Sequence, residues 1–270
     1  MNTIKITSRD NKHLKAVSKL LSSARFRKET GLFAVEGLRL CMDAAETGME
    51  LETLFYTPTA YKKNKDSIDG LFGKAESCYE VDDAVFAKTA DTQSPQGVLC
   101  VIRQRPLTME PKQNGKYIAI EDIQDPSNLG AIARTAEALG ADGLVLSAGC
   151  CDVYNSKAQR AAMGALFRLP MRIVEDFSGF LKTASIPSFA AVPDSTATPI
   201  TECDFSSGAI VLVGNEGNGL KNETISLCTH TITIPMKGRA ESLNASAAAT
   251  ILLYEMLKQG TTNEVVVTLS

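Results

Sequence analysis

Three segments in the second half of this 270-residue chain gather the side chains and glycines that could hold a ligand or act on one. The first is Asp125-Pro126-Ser127-Asn128-Leu129-Gly130, followed by Arg134. Pro126 enforces a turn, and Ser127 or Asn128 can cap the helix that follows. Arg134 then lies two turns into that helix. A guanidinium there can orient a phosphate or polarise a hydroxyl, or simply pair with Glu137 at i+3. The second segment is Val213-Gly214-Asn215-Glu216-Gly217-Asn218-Gly219-Leu220. Its glycines let main chain approach a ligand closely, and they equally suit a plain tight turn. Glu216 adds a carboxylate inside that turn. The third is Ile234-Pro235-Met236 and then Ser242-Leu243-Asn244-Ala245-Ser246, a polar pentapeptide that opens a helix rich in Ala, Ser and Thr. Small side chains allow other backbone to come close, and a helix start offers free N–H groups. The same run also suits a tightly packed core helix.

Each segment follows a short apolar run. Residues 117–120, 144–146, 188–192, 210–213 and 231–234 read as strands, the first four without polar interruption. Helical patterns fall at 129–139, 156–166, 221–227 and 245–257. Alternating β and α with fully apolar strands implies a parallel sheet covered on both faces, with ligands at the carboxyl ends of its strands. The first half reads differently. Apolar residues at helical spacing (Leu14, Val17, Leu20, Leu21) mark a helix over 11–21. Strands at 32–35, 51–56, 77–81 and 98–102, with helices between them, make a small α/β sandwich. Residues 103–115 carry two prolines, a glycine and little apolar content, as a linker would. The expected division is a domain over 1–105, a linker over 106–116 and a second domain over 117–270. The tail, 261–270, reads either as a late strand or as loose chain.

Composition removes several classes of function. Apolar residues are 44% and charged residues 22%, as in ordinary globular proteins, and no run approaches the ~20 apolar residues of a membrane span. The amino terminus lacks a signal-like apolar stretch, and the seven cysteines include no C-x-x-C pair. Free thiols in a reducing cytoplasm are the simplest account. Two histidines, His13 and His230, far apart in sequence, argue against Ser-His-Asp chemistry and against a His-rich zinc site, so no metal is expected. The glycine order is G-x-x-G-x-G rather than the dinucleotide G-x-G-x-x-G, and Gly-Lys-Ser/Thr is absent. Charge is uneven. Residues 1–40 hold nine Lys and Arg against three Asp and Glu, a net +6, whereas residues 117–270 hold ten against sixteen, a net −6. The basic head is either a phosphate-binding surface or a solvated helix face.

Taken in order, Asn128-Leu129-Gly130 with Arg134, Gly214-Asn215-Glu216-Gly217, and Ile234-Pro235-Met236 with Ser242-Leu243-Asn244 resemble the three motifs of the SpoU/TrmH branch of SPOUT RNA methyltransferases. Residues 157–167 look like the segment that such proteins carry between the first two motifs. Phe33-Ala34-Val35-Glu36-Gly37 and Gln93-Ser94-Pro95-Gln96-Gly97-Val98 are similar to the substrate-binding domain that often precedes the catalytic one. The resemblance implies an α/β fold whose carboxyl-terminal parallel-sheet domain is a deep trefoil knot, preceded by a small RNA-binding α/β domain, in a cytoplasmic homodimer without membrane contact. It implies transfer of the methyl group of S-adenosylmethionine to a ribose 2′-hydroxyl in RNA, ribosomal RNA before tRNA. By motif position, main-chain contacts to the cofactor fall at Gly214, Ile234 and Leu243, with Val213, Met236 and Ala245 as neighbours. Arg134, Asn128, Glu216, Ser242 and Asn244 fall at the reacting end, with Asn128 and Glu216 holding Arg134 or the ribose. A guanidinium scarcely loses its proton, so positioning by Arg134 stands beside base catalysis. Competing readings are a non-catalytic RNA-binding protein on the same fold, a base-methylating relative and a dinucleotide-dependent oxidoreductase.

Overall fold

The computed structural model describes residues 3–258. The chain divides into two compact units, Met1–Pro106 with Asp152–Arg168, and Leu107–Cys151 with Leu169–Ser270. The sequence-based division is crossed by one segment: residues 152–168 fold with the first unit although they lie deep in the second half of the chain. The tail over 261–270 lies outside the described residues. Among the described residues no helix is long and apolar enough to cross a membrane.

The first unit is a five-stranded sheet flanked by helices. In chain order its strands are β1 (Ile4–Ile6), β2 (Leu32–Glu36), β3 (Leu51–Tyr56), β4 (Ala75–Val81) and β5 (Val98–Arg103), arranged β1-β4-β3-β5-β2. β5 runs antiparallel to both β3 and β2. Helix α1 (Lys12–Ser22) buries Leu14, Val17, Leu20 and Leu21, the spacing expected of it, and Asn11 caps its start by accepting from the His13 N–H. Its neighbour α2 (Ala24–Thr30) buries Arg27, 2% exposed. The Arg27 guanidinium donates to Asp152 at 2.7 Å and to the Leu20 carbonyl at 2.6 Å. α3 (Leu38–Glu46), α4 (Pro58–Lys63), α5 (Lys65–Phe72) and α6 (Asp83–Ala87) complete the unit before the inserted segment arrives.

That segment is not the single helix its pattern predicts. It forms α8 (Ser156–Ala162) and α9 (Ala165–Arg168), broken where Met163 and Gly164 take φ of +50° and +88°. Gly164 sits against the Asp43 carboxylate, which Arg168 engages at 2.6 Å, so a side chain there would have to displace that ion pair. Tyr154 and Phe167 pack on Phe33, with ring centroids 4.6 and 6.4 Å away.

The second unit is an all-parallel seven-stranded sheet. β6 (Lys116–Ile120), β7 (Gly143–Ser147), β8 (Met171–Val174), β9 (Ser188–Ala191), β10 (Thr198–Pro199), β11 (Ala209–Val213) and β12 (His230–Thr233) are ordered β10-β12-β9-β11-β6-β7-β8. Ile118, Val145 and Val211 are each fully buried, which is why these strands read as unbroken apolar runs. From β6 the chain moves outward through β7 and β8, then returns to lay β9 beyond β11. The direction of winding therefore switches between β6 and β11, the place where parallel sheets open a crevice. α7 (Pro126–Ala138), α10 (Phe177–Thr183), α11 (Asn222–Leu227) and α12 (Ala245–Lys258) connect or cover the strands. α12 packs on α7, β11 and β6, burying Ala249, Leu252, Leu253 and Met256.

Candidate active site

The three segments singled out by spacing meet at the carboxyl ends of β6, β11 and β12. Residues 214–220 leave β11 as a tight turn closed by two main-chain hydrogen bonds between Asn215 and Gly219, at 3.0 and 2.9 Å. Gly214 has no alternative: a Cβ there would sit well inside 3.0 Å of the Gly219 and Leu220 backbone. Gly219 takes φ +67°, the left-handed region that glycine enters without strain. The Asn215 side chain folds back on the turn, accepting from the Gly217 and Asn218 N–H groups at 2.9 and 3.1 Å.

Glu216 links this turn to the first segment. Its carboxylate accepts from the Gln124 N–H (3.2 Å), the Asp125 N–H (3.0 Å) and Asn128 Nδ2 (3.0 Å). Burial alone would raise its pKa. The hydrogen bonds from Asn128 and from the Asp125 and Gln124 backbone outweigh that and hold it below the ordinary glutamate value. Asn128 Oδ1 accepts in turn from Asn244 Nδ2 at 3.1 Å. Glu216, Asn128 and Asn244 thus form one hydrogen-bonded line through all three segments.

Two expectations change here. Neither Ser127 nor Asn128 caps α7. Asp125 does so, accepting from the Ser127 N–H at 2.9 Å, because Pro126 occupies the first helical position and moves the cap back one residue. Asn128 therefore lies inside the helix, 7% exposed, with its amide committed to Glu216 and Asn244. Asn244, besides holding Asn128, caps α12 by accepting from the Ser246 and Ala247 N–H groups at 2.9 and 3.3 Å. Glu216 and Asn128 hold each other, and neither bonds Arg134. Among the described residues the Arg134 side chain makes no hydrogen bond or ion pair, with Glu137 or otherwise. It is exposed in a shallow groove of about 420 Å³ between α7 and α12, beside Thr250, Ile251 and Tyr254.

A second, larger cavity of about 660 Å³ opens beside the glycine turn, between the ends of β9, β11 and β12 and the start of α12. Val213, Gly214, Ile234, Met236, Leu243 and Ala245 all line it, as do Glu216 and Ser242. Asn128, Arg134 and Asn244 do not. Met236 and Leu243 are 39% and 38% exposed, large apolar groups standing open at its mouth. The lining contains the carboxylates Asp194, Glu216 and Glu241 and no lysine or arginine.

Sequence reasoning missed Asp194, on the loop after β9, and a charged cluster beneath the turn: Glu121, Asp122 and Lys221. The signal available was two acidic residues directly after the buried run 117–120. Glu121 is 2% exposed and accepts from the Lys221 N–H and from Thr224 Oγ1.

Residues 115–254 match the SpoU rRNA Methylase family, more than half of the chain. The chain belongs to that family. Residues 11–100 match the MRM3-like substrate binding domain. Among SpoU relatives, an uncharacterised tRNA/rRNA methyltransferase of Synechocystis is 33% identical over 94% of this chain and 93% of its own. The 23S rRNA (guanosine(2553)-2′-O)-methyltransferase RlmP of Bacillus subtilis is 30% identical over 88% of this chain and 93% of its own. Among solved structures, an AdoMet-bound rRNA methyltransferase from Sinorhizobium meliloti superposes with a TM-score of 0.86 at 30% identity, covering 96% of this chain and 99% of that one.

Proposed function

We propose that this SpoU protein transfers the methyl group of S-adenosylmethionine to a ribose 2′-hydroxyl of ribosomal RNA. The observation that carries the reading is the 660 Å³ cavity at the ends of β9, β11 and β12, walled by the main chain of the glycine turn and joined to α7 and α12 through Glu216, Asn128 and Asn244.

The cavity fits the cofactor. Its volume lies within the range of small-molecule sites, ~300–1,000 Å³. Val213, Ile234, Met236, Leu243 and Ala245 offer apolar contact to a flat ring. The backbone approach that Gly214 permits suits main-chain recognition, and the carboxylates without cations suit a ligand carrying positive charge. When bound, the cofactor supplies a methyl group already activated on a sulfonium. The chain's work is to position the acceptor and manage its proton. Gly214, Ile234 and Leu243 hold the cofactor through main chain. Ser242 offers a hydroxyl at the cavity. Asn128, Glu216 and Asn244 keep the three segments in register, and Arg134 orients the RNA phosphate and polarises the hydroxyl. A guanidinium keeps its proton in proteins, which favours this positioning role over base catalysis.

The remaining parts of the reading follow from the same family. The second unit is a trefoil knot. The enzyme is a cytoplasmic homodimer whose partner packs on the α7–α12 groove, where Ile251 and Tyr254 are 38% and 57% exposed; this puts Arg134 at the subunit boundary. The first unit binds RNA. The test is incorporation of labelled methyl into ribosomal RNA by wild type and by Arg134→Ala, with the modified nucleotide mapped by nuclease digestion and mass spectrometry. Label on a ribose that disappears in the variant is the expected result. Label on a base, or an undiminished variant, refutes the reading.

A further inference from the structure

The glycine turn that walls the cavity is fastened at both of its ends to the two residues that follow β6. At its start, Asn215 Nδ2 donates to the Asp122 carbonyl at 2.8 Å, with Asp122 itself at φ +54°. At its end, the Lys221 N–H donates to Glu121 Oε2 at 2.9 Å and Thr224 Oγ1 donates to Glu121 Oε1 at 2.7 Å. Lys221 is the N-cap residue of α11 but makes no side-chain cap bond of its own. A carboxylate one hundred residues upstream caps the helix instead.

The Lys221 ammonium closes the arrangement. Nζ lies 2.6 Å from Asp122 Oδ2 and 3.8 Å from Glu121 Oε1. Ser147 Oγ also donates to Asp122, at 2.8 Å. Among the described residues Lys221 is the one cation paired with either carboxylate. Adjacent carboxylates, one of them 2% exposed, repel each other, and a cation between them offsets that repulsion. The Lys221 hydrogen bond, with help from Ser147, holds the Asp122 pKa below the ordinary aspartate value, while Asp122 raises that of Lys221, so the pair stays charged across neutral pH. Lys221 lines neither groove nor cavity. Its side chain is 63% exposed.

We propose that Lys221 is a positioning residue for cofactor binding: its bridge to Asp122 and Glu121 sets the conformation of residues 214–220 before any ligand arrives. The proposal rests on the reading of the cavity as the S-adenosylmethionine site. Without the bridge, Ser147 still holds Asp122, but the repulsion between its carboxylate and that of Glu121 is no longer offset, the hold of its carbonyl on Asn215 loosens, and the turn samples conformations that do not bind.

Lys221→Met and Lys221→Arg in the full chain test this, with three readouts. Calorimetry with S-adenosylmethionine should show Kd raised about tenfold in Lys221→Met, the result of a competent fraction cut to about a tenth. Lys221→Arg should return Kd to within about threefold of wild type by the same relation. Methyl transfer to RNA at saturating cofactor should keep its kcat, and KM for RNA should not move. Hydrogen exchange without ligand should be faster at the amides of residues 215–219 in Lys221→Met and close to wild type in Lys221→Arg. A Lys221→Met protein with wild-type Kd and wild-type exchange overturns the proposal, as does one that loses kcat while keeping Kd. If wild type itself binds no S-adenosylmethionine, the cofactor reading fails, and the exchange comparison alone still decides whether Lys221 holds the turn.

Discussion

Replacing Gly214 by alanine isolates the role of close backbone approach, since it adds one methyl group and changes no charge. The new Cβ would lie well inside 3.0 Å of Gly219 C, Leu220 N and Gly219 O. All three are backbone atoms, so no side chain can rotate away. The strands of the turn must part, which breaks the paired Asn215–Gly219 hydrogen bonds at 3.0 and 2.9 Å. Two such bonds contribute about 1–3 kcal/mol together, and forced overpacking costs about 1–3 kcal/mol more. A relaxed, opened turn is then the ground state of the free protein, and binding must first restore the closed form. A gap near 3 kcal/mol raises Kd for S-adenosylmethionine about a hundredfold. Gly217→Ala in the same turn is the control. Its Cβ would meet only Asn215 Oδ1 at 3.6 Å, an ordinary contact. Thermal unfolding of the ligand-free proteins should show a loss for Gly214→Ala and none for Gly217→Ala, and calorimetry should follow the same order. Equal Tm values for the two variants, or native affinity in Gly214→Ala, would refute the reasoning.

Further outcomes follow from other contacts. Arg134→Ala should abolish methyl transfer while leaving cofactor Kd within about twofold, because Arg134 stands outside the cavity; equilibrium binding beside a turnover assay separates the two. The folded pKa of Glu216 is depressed, so its stabilising contribution is complete above the ordinary value of 4.5 and is lost as pH falls through the lowered one. Denaturant titrations of wild type and Glu216→Gln should therefore differ at pH 7 and converge in acid. Asn244→Ala removes both the cap of α12 and the bond to Asn128, and should cost about 1–2 kcal/mol by urea unfolding. Asp152→Ala strips Arg27, 2% exposed, of its carboxylate and should destabilise the first unit by about 2–3 kcal/mol, read as a lowered Tm.

What could be read from sequence was what depends on neighbours in the chain. The buried runs 117–120 and 210–213 became β6 and β11, and the 3.6-residue spacing of Leu14, Val17, Leu20 and Leu21 became the inner face of α1. Edge strands were harder. β8, Met-Arg-Ile-Val, mixes burial with exposure over four residues and carries no clear period. The site shows the same limit. Asn128 resembles a cap because capping preference is local, yet its amide is claimed by Glu216, 88 residues away. Glu121 and Lys221 are 100 residues apart, and nothing in either neighbourhood announces the other. Residues 156–166 read as one helix and form two, and periodicity does not say which core a helix joins; here Phe33, Asp43 and Arg27 decide it.

The discontinuity of the first unit bears on how the protein is made. Residues 1–106 leave the ribosome as one stretch, but the unit they belong to lacks Asp152, Tyr154 and Phe167 until residue 168 has been added. At the elongation rates of cells, ~5–20 residues per second, that interval is on the order of 3–12 s. Throughout it the guanidinium of Arg27 has no carboxylate and the ring of Phe33 has no cover. The amino-terminal half therefore emerges first but finishes folding late, and it needs part of the β6–β8 stretch translated before it is complete. Nascent chains stalled shortly before and shortly after residue 168 has cleared the exit tunnel should differ sharply in protease resistance of the amino-terminal half. The same arrangement means that gene fusions exchanging the head at residue 105 would carry an unfinished unit into the new protein.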